Sequence, residues 1–189
     1  MTSESPSWKS SADEAKRNLI LDAALRVFAA RGFDEPSMDD IAAEADYTRR
    51  SLYRFFPSKE ALGVALAVRS CRLLTKAIGP LESASLFDIA WAYFQFSLSH
   101  PEEFRVVLET RQLMFSGRAL PLKDEWLKAD GFGAAFASRG EVDWESLAAA
   151  VGYVEFRFRY RAAWQESGLA GTAKTVEAVL RKILFEEKV

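Results

Sequence analysis

Between Thr48 and Lys59 the chain places Arg49, Arg50, Arg54 and Lys59, with no acidic residue among them, and interleaves Thr48, Ser51 and Tyr53. Guanidinium forks are the commonest readers of guanine edges, and hydroxyls and ammonium groups add single contacts to phosphate. The preceding segment has the opposite charge, with Asp39, Asp40 and Glu44. A helix that enters a DNA groove needs positive charge at its leading edge, whereas the helix supporting it does not. A solvated basic turn would have the same arginines; the hydroxyl-bearing Thr48, Ser51 and Tyr53 among them favour the nucleic-acid reading. Net charge is −2, so affinity for a polyanion has to come from this local placement.

The elements that position these residues read as helices throughout. Residues 1–11 form a polar, Ser-rich arm. A first helix starts near Ser11, with Glu14 at the capping-box spacing, and carries Ile20, Ala23, Ala24, Val27 and Phe28 on one face. Gly32 stops it. A second short helix opens at Ser37, with Asp40 three residues on, and turns inward Ile41, Ala42 and Ala45. Asp46 and Tyr47 make a tight connection, and Thr48 caps a third helix from Arg49 to Phe56 that ends at Pro57. Three short helices with a tight turn before the third describe a helix-turn-helix.

Ser58 caps a long fourth helix with Leu62, Ala65, Leu66 and Leu73 along one side. A fifth runs from Ser85, with Asp88 at the capping-box position, to about Leu98. Pro101 opens a sixth, where its missing N–H costs nothing. Pro121 begins a segment through Phe136 weakened by Gly131 and Gly133. A helix from about Asp143 to Ser167 and a last one from Thr172 to about Glu187, striped with Val176, Val179, Leu180, Ile183 and Leu184, complete the chain. The fold class is therefore all-α with about nine helices: an arm (1–11), a DNA-binding helix-turn-helix domain (12–57) and a helical bundle (58–189).

The stretch Asn18–Leu62 resembles the tetracycline-repressor (TetR) family of bacterial regulators. The resemblance rests on Ala23-Ala24, Phe28, Gly32-Phe33, Ser37-Met38, Ile41-Ala42, Ala45, Leu52-Tyr53, Phe56 and Lys59-Glu60-Ala61-Leu62. It implies a dimeric, ligand-responsive repressor of a near-palindromic operator. The expected DNA-binding residues are Ser37, Tyr47, Thr48, Arg49, Arg50, Ser51, Tyr53, Arg54 and Lys59. Arg49 and Arg50 are placed at base edges and Tyr53 and Lys59 at phosphates. Arg54 pairs with an acid or with DNA, and Lys9, Lys16 and Arg17 lie where an arm would approach the duplex. Two positions depart from the family pattern: Asp46-Tyr47 stand where Gly-Val is usual, and Arg50 where Gly is frequent. The operator sequence therefore cannot be borrowed from relatives.

The resemblance puts the dimer interface on the last two helices, where Ala148-Ala149-Ala150 and Gly152 permit close approach and Tyr153, Phe156, Phe158, Tyr160 and Trp164 follow. It puts the effector among the middle helices, for which Trp91, Phe94, Phe104, Leu108, Met114, Trp126, Phe132 and Tyr153 are candidates. Most of these would be ordinary core. Arg111 and Arg157 need a partner, Glu109, Glu155 or a ligand carboxylate. With 14 Phe and 5 Trp, the aromatic supply points to an apolar or aromatic effector.

One Cys and one His give no disulfide, no zinc site and no persuasive catalytic pair, and there is no glycine-rich phosphate loop. The expectation is a cytoplasmic protein without cofactor, enzymatic activity or membrane span. The competing reading is a helical small-molecule-binding protein that has lost sequence-specific DNA binding.

Overall fold

The computed structural model describes residues 11–78, 84–115, 143–166 and 171–185, without the side chains of residues 78, 111–115, 144 and 164. Among the described residues the regular structure is helical: α1 (Ser11–Arg31), α2 (Met38–Glu44), α3 (Arg49–Phe55), α4 (Lys59–Ile78), α5 (Leu86–Ser99), α6 (Pro101–Phe115), α7 (Trp144–Arg159), α8 (Arg161–Glu166) and α9 (Ala173–Phe185). They fall into two compact units. One takes the chain up to Ser70 together with the segment from Glu102; the other takes Cys71 to Pro101 and the described residues from Asp143 onward.

In the first unit the anticipated stripe of α1 is buried in full, and Met38, Ile41 and Ala42 of α2, Leu52 and Phe55 of α3, and Leu62 and Leu66 of α4 are buried as well. Each of the larger side chains among them (Val, Leu, Ile, Met, Phe) contributes about 1.5–3 kcal/mol when removed from water. The helix ends are set by local chemistry. Gly32, at φ 74°, takes the left-handed conformation that closes α1, and its N–H donates to the Phe28 carbonyl at 2.8 Å. Ser37 caps α2 in a full capping box with Asp40, and the Ser58 hydroxyl accepts from the Ala61 N–H at the start of α4. Gly63 of α4 lies against the buried Phe33, so close that a Cβ there would stand 2.5 Å from the ring's Cε2.

In the second unit α5, α7 and α9 pack on one another. Ser85 and Asp88 form the capping box that opens α5. The Tyr93 hydroxyl donates to Glu155 of α7 at 2.8 Å, and Phe87 packs against Phe185 of α9 while Arg181 lies over its ring. Val176 and Leu180 of the α9 stripe are buried.

Two expectations need adjustment. Leu73, expected on the inner stripe of α4, is exposed. The helix anticipated from Asp143 to Ser167 is broken at Tyr160, which leaves helical geometry at φ −103° and ψ 15° and separates α7 from α8. No proline or glycine stands there, so the break has no local signal in the sequence. The segment from Pro121 to Phe136 lies outside the described residues.

Candidate nucleic-acid interface and helical-unit cavity

The connection between α2 and α3 is a Schellman turn built on an aspartate. Asp46 sits at φ 56°, its N–H donating to the Ala43 carbonyl at 3.2 Å, and the next N–H, of Tyr47, donates to the Ala42 carbonyl at 2.9 Å. The two donors satisfy carbonyls that the end of α2 would otherwise leave open. The left-handed residue turns the chain sharply enough for Thr48 to cap α3, its hydroxyl accepting from the Ser51 N–H and donating to the Ser51 hydroxyl.

Leu52 and Phe55 anchor α3 in the core, which leaves Arg49, Arg50, Tyr53 and Arg54 exposed on the other face, with Ser51 and Tyr47 half-buried beside them. Arg49 Nη1 pairs with Asp39 of α2 at 2.9 Å, and its Cζ lies 5.5 Å from the Tyr53 ring centroid. Asp40 pairs with Arg31 and Glu44 with Arg26. Each acid of α2 is thus matched by an arginine, and the supporting helix does not present bare negative charge beside the basic face. The Ser37 hydroxyl and N–H, and then Arg31, hold the Asp40 carboxyl well below the usual range. Arg50 forms no ion pair among the described residues.

Several expected contact residues are engaged within the protein. The Ser37 hydroxyl donates to Asp40. Lys59 Nζ donates to the carbonyls of Asp34 and Pro36 at 2.9 and 3.0 Å and lies over the Phe33 ring, clasping the turn before α2 to the start of α4. Arg54 stands 3.6 Å from Asp13 of α1, an acid that the sequence reading did not single out. Arg17 donates to the Phe55 carbonyl and covers the Phe56 ring, so it finishes α3 from the side of α1. Lys16 is exposed, and Lys9 lies outside the described residues.

The second unit contains a cavity of about 520 Å³ between α5, the end of α7, α8 and the first turn of α9. Of the anticipated ligand residues, Phe94 and Arg157 line it. Trp91 packs on Phe87 and Phe94, and the Tyr153 hydroxyl is 3.5 Å from Arg157 Nη1. Phe104 and Leu108 are buried on α6, among the residues of the first unit. Arg111 and Met114 lie on α6 with undescribed side chains, and Trp126 and Phe132 lie outside the described residues. Of the acids considered as arginine partners, Glu109 stands 3.8 Å from Arg105, and Glu155 receives the Tyr93 hydroxyl. Leu98, Pro101, Arg161 and Thr172 also line the cavity and were not anticipated. Only Arg161, one helical turn beyond Arg157, had a periodic signal.

The family description "Bacterial regulatory proteins, tetR family" matches residues 20–66, the span from α1 into α4 that holds the turn and the basic face. The likeness to the TetR family covers these residues, about a quarter of the chain. Two curated relatives are the putative mycofactocin biosynthesis transcriptional regulator MftR of Mycobacterium tuberculosis, 49% identical over 43 residues (23% of this chain, 22% of that one), and the HTH-type transcriptional regulator RutR of Escherichia coli K12, 41% identical over 58 residues (31% and 27%). The matched segments span 16% of the first such relative, 22% of MftR and 32% of a third, less than two thirds of each. Among solved structures, a TetR-like transcriptional regulator from Rhodococcus sp. RHA1 superposes with a TM-score of 0.61 at 25% identity, covering 90% of this chain and 93% of that one. A TetR-family member from Streptomyces coelicolor A3 superposes at 0.66 with 22% identity, covering 89% and 98%. The second likeness bears on fold alone. Identity to these curated relatives is therefore confined to segments of 43 to 65 residues.

Proposed function

We propose that this chain is a cytoplasmic, ligand-responsive transcriptional repressor that binds a near-palindromic operator as a homodimer. The observation that carries the reading is the α2–turn–α3 geometry: the Schellman turn at Asp46 and the cap at Thr48 hold an amphipathic α3 whose outer face is Arg49, Arg50, Tyr53 and Arg54. In this reading Arg49 and Arg50 read base edges. Tyr47, Thr48, Ser51 and Tyr53 add hydroxyl contacts, with Ser37 and Lys59 holding the turn before α2 at the edge of the interface.

The dimer would use α7 and α9. Ala148, Ala149 and Gly152 are exposed on α7, and a Cβ on Gly152 would meet nothing within 4 Å. Phe156, Tyr160 and Phe185 are 49%, 46% and 60% exposed, more apolar surface than a lone helical unit keeps in water without reason. Among the described residues, no helix is long and apolar enough to cross a membrane. The effector would bind in the second unit and bias α4, which contributes residues to both units.

Selection from a random-sequence duplex library with the full chain tests the reading. A near-palindromic consensus that vanishes for Arg49→Ala with Arg50→Ala is expected; no consensus at any salt concentration would return the chain to the class of ligand carriers.

A further inference from the structure

The corner between α1 and α2, residues 29–36, is gripped from two sides. From α4, Lys59 Nζ donates to the Asp34 and Pro36 carbonyls at 2.9 and 3.0 Å and lies 5.0 Å from the Phe33 ring centroid. Gly63, one turn on, lies against the same ring. From α6, Arg105 Nη1 donates to the Ala29 carbonyl in the last turn of α1 at 2.7 Å, and Glu109 Oε1 lies 4.0 Å from where a Cβ on Gly32 would stand. These are the described helices in which the chain passes from one unit to the other: α4 between Ser70 and Cys71, α6 between Pro101 and Glu102.

The chemistry of both grips is local and directed inward. Lys59 is the first residue of α4, where the helix dipole disfavours a cation, and the two carbonyls and the ring compensate it. Two of its three N–H donors are thereby committed inside the protein. Arg105 meets the end of α1 at which carbonyls are left open and a cation is favoured. Neither grip depends on α3, whose own anchors are Leu52 and Phe55.

On the reading of this chain as a dimeric operator binder, we propose that Lys59 and Arg105 are positioning residues: they mount the reading head on α4 and α6 and so set the half-site separation that the dimer accepts. The bases of each half-site are read by α3; the mount decides how far apart, and at what angle about the duplex, two heads present that helix. Each added base pair turns one half-site about 35° relative to the other, so a head that swings on its mount accepts separations that a fixed one rejects.

Selection from a random-sequence duplex library with the full chain gives the paired half-sites and their separation. Fluorescence anisotropy then compares duplexes with those half-sites at that separation and at separations one and two base pairs shorter and longer. Wild type is expected to lose on the order of tenfold for a change of two base pairs, the size of effect of a wrong base pair. Lys59→Met and Arg105→Gln are each expected to cut that penalty severalfold while selecting the same half-site bases, which shows that the variant head is folded. The Arg105 side chain is nearly half exposed, so its variant carries the test if Lys59→Met fails to fold. A penalty as steep as the wild type's in the variants that fold would overturn the proposal. A plot of log affinity against log salt flattened by about 0.9 per subunit in Lys59→Met would then make Lys59 a phosphate contact instead. Wild type that selects no paired half-sites would defeat the operator reading itself, and the proposal with it.

Discussion

Arg49, the first residue of the recognition helix, is held by Asp39 of the supporting helix, Nη1 to Oδ2 at 2.9 Å, with Tyr53 beneath its guanidinium. Both side chains are more than half exposed, so the pair itself contributes little to stability, about 0–1 kcal/mol. Its consequence is orientation: a guanidinium with one N–H fixed loses less freedom when the rest of its fork meets a base edge. Asp39→Ala is expected to leave the unfolding midpoint almost unchanged and to flatten base preference at the position Arg49 reads. Removing Arg49 itself should cost about 1–3 kcal/mol of discrimination there. Selection with each variant and urea unfolding check this; an unchanged consensus for Asp39→Ala would show that the pair positions nothing.

Asp46 is the described non-glycine residue at positive φ, 56°, where an L side chain is strained by roughly 1–2 kcal/mol. Asp46→Gly keeps both hydrogen bonds of the turn, because both donors are backbone N–H groups. It is expected to stabilise the protein by about 1 kcal/mol, partly offset by the greater freedom of glycine in the unfolded chain. Urea unfolding measures this; destabilisation would mean that the Asp46 side chain supports the turn.

Gly63→Ala places a methyl group 2.5 Å from Phe33 Cε2, and Phe33 is buried under Lys59 with little room to withdraw. A loss of about 1–3 kcal/mol is expected from overpacking. Phe33→Leu in the same chain should recover part of it, a coupling visible in a double-mutant cycle. Additive losses would show that the two residues do not press on each other.

The Asp40 carboxyl, lowered first by the Ser37 hydroxyl, then by its N–H, and then by Arg31, gives the α2 cap a pH dependence of defined sign. A depressed carboxyl stabilises the fold when ionised. Its contribution is complete above the ordinary aspartate value of 3.8, shrinks below it, and is gone once the pH falls through the depressed value. The stability gap between wild type and Asp40→Asn should thus be constant near neutrality and close in strong acid. A gap that widened on acidification would contradict the capping geometry.

The reading head was legible because its signals are local. Ser37 with Asp40, Thr48, Pro57 and Gly32 each act within a few residues, and α1–α3 begin and end within a residue or two of where these signals place them. The tight connection at Asp46 was legible for the same reason, and its left-handed conformation is the one the Gly usual in the family at that position would take. The cavity was not, because its lining joins residues distant in the chain: Leu98 and Pro101 meet Arg161 and Thr172 only through the packing of α5, α7 and α9. Aromatic content alone pointed equally to Phe104, which is core on α6. The engagements of Lys59, Arg17 and Arg26 had no signal either, since their partners stand 18 to 38 residues away.

The central claim, that α3 reads sequence through Arg49 and Arg50, is tested most directly by fluorescence anisotropy on the selected duplex and on a scrambled one, at matched salt. Wild type is expected to prefer the selected duplex by about three orders of magnitude or more. In Arg49→Ala with Arg50→Ala, the preference should collapse while weak, salt-sensitive binding to both duplexes remains. Equal affinity of wild type for the two duplexes across the salt range, or a preference untouched by the double substitution, would contradict it.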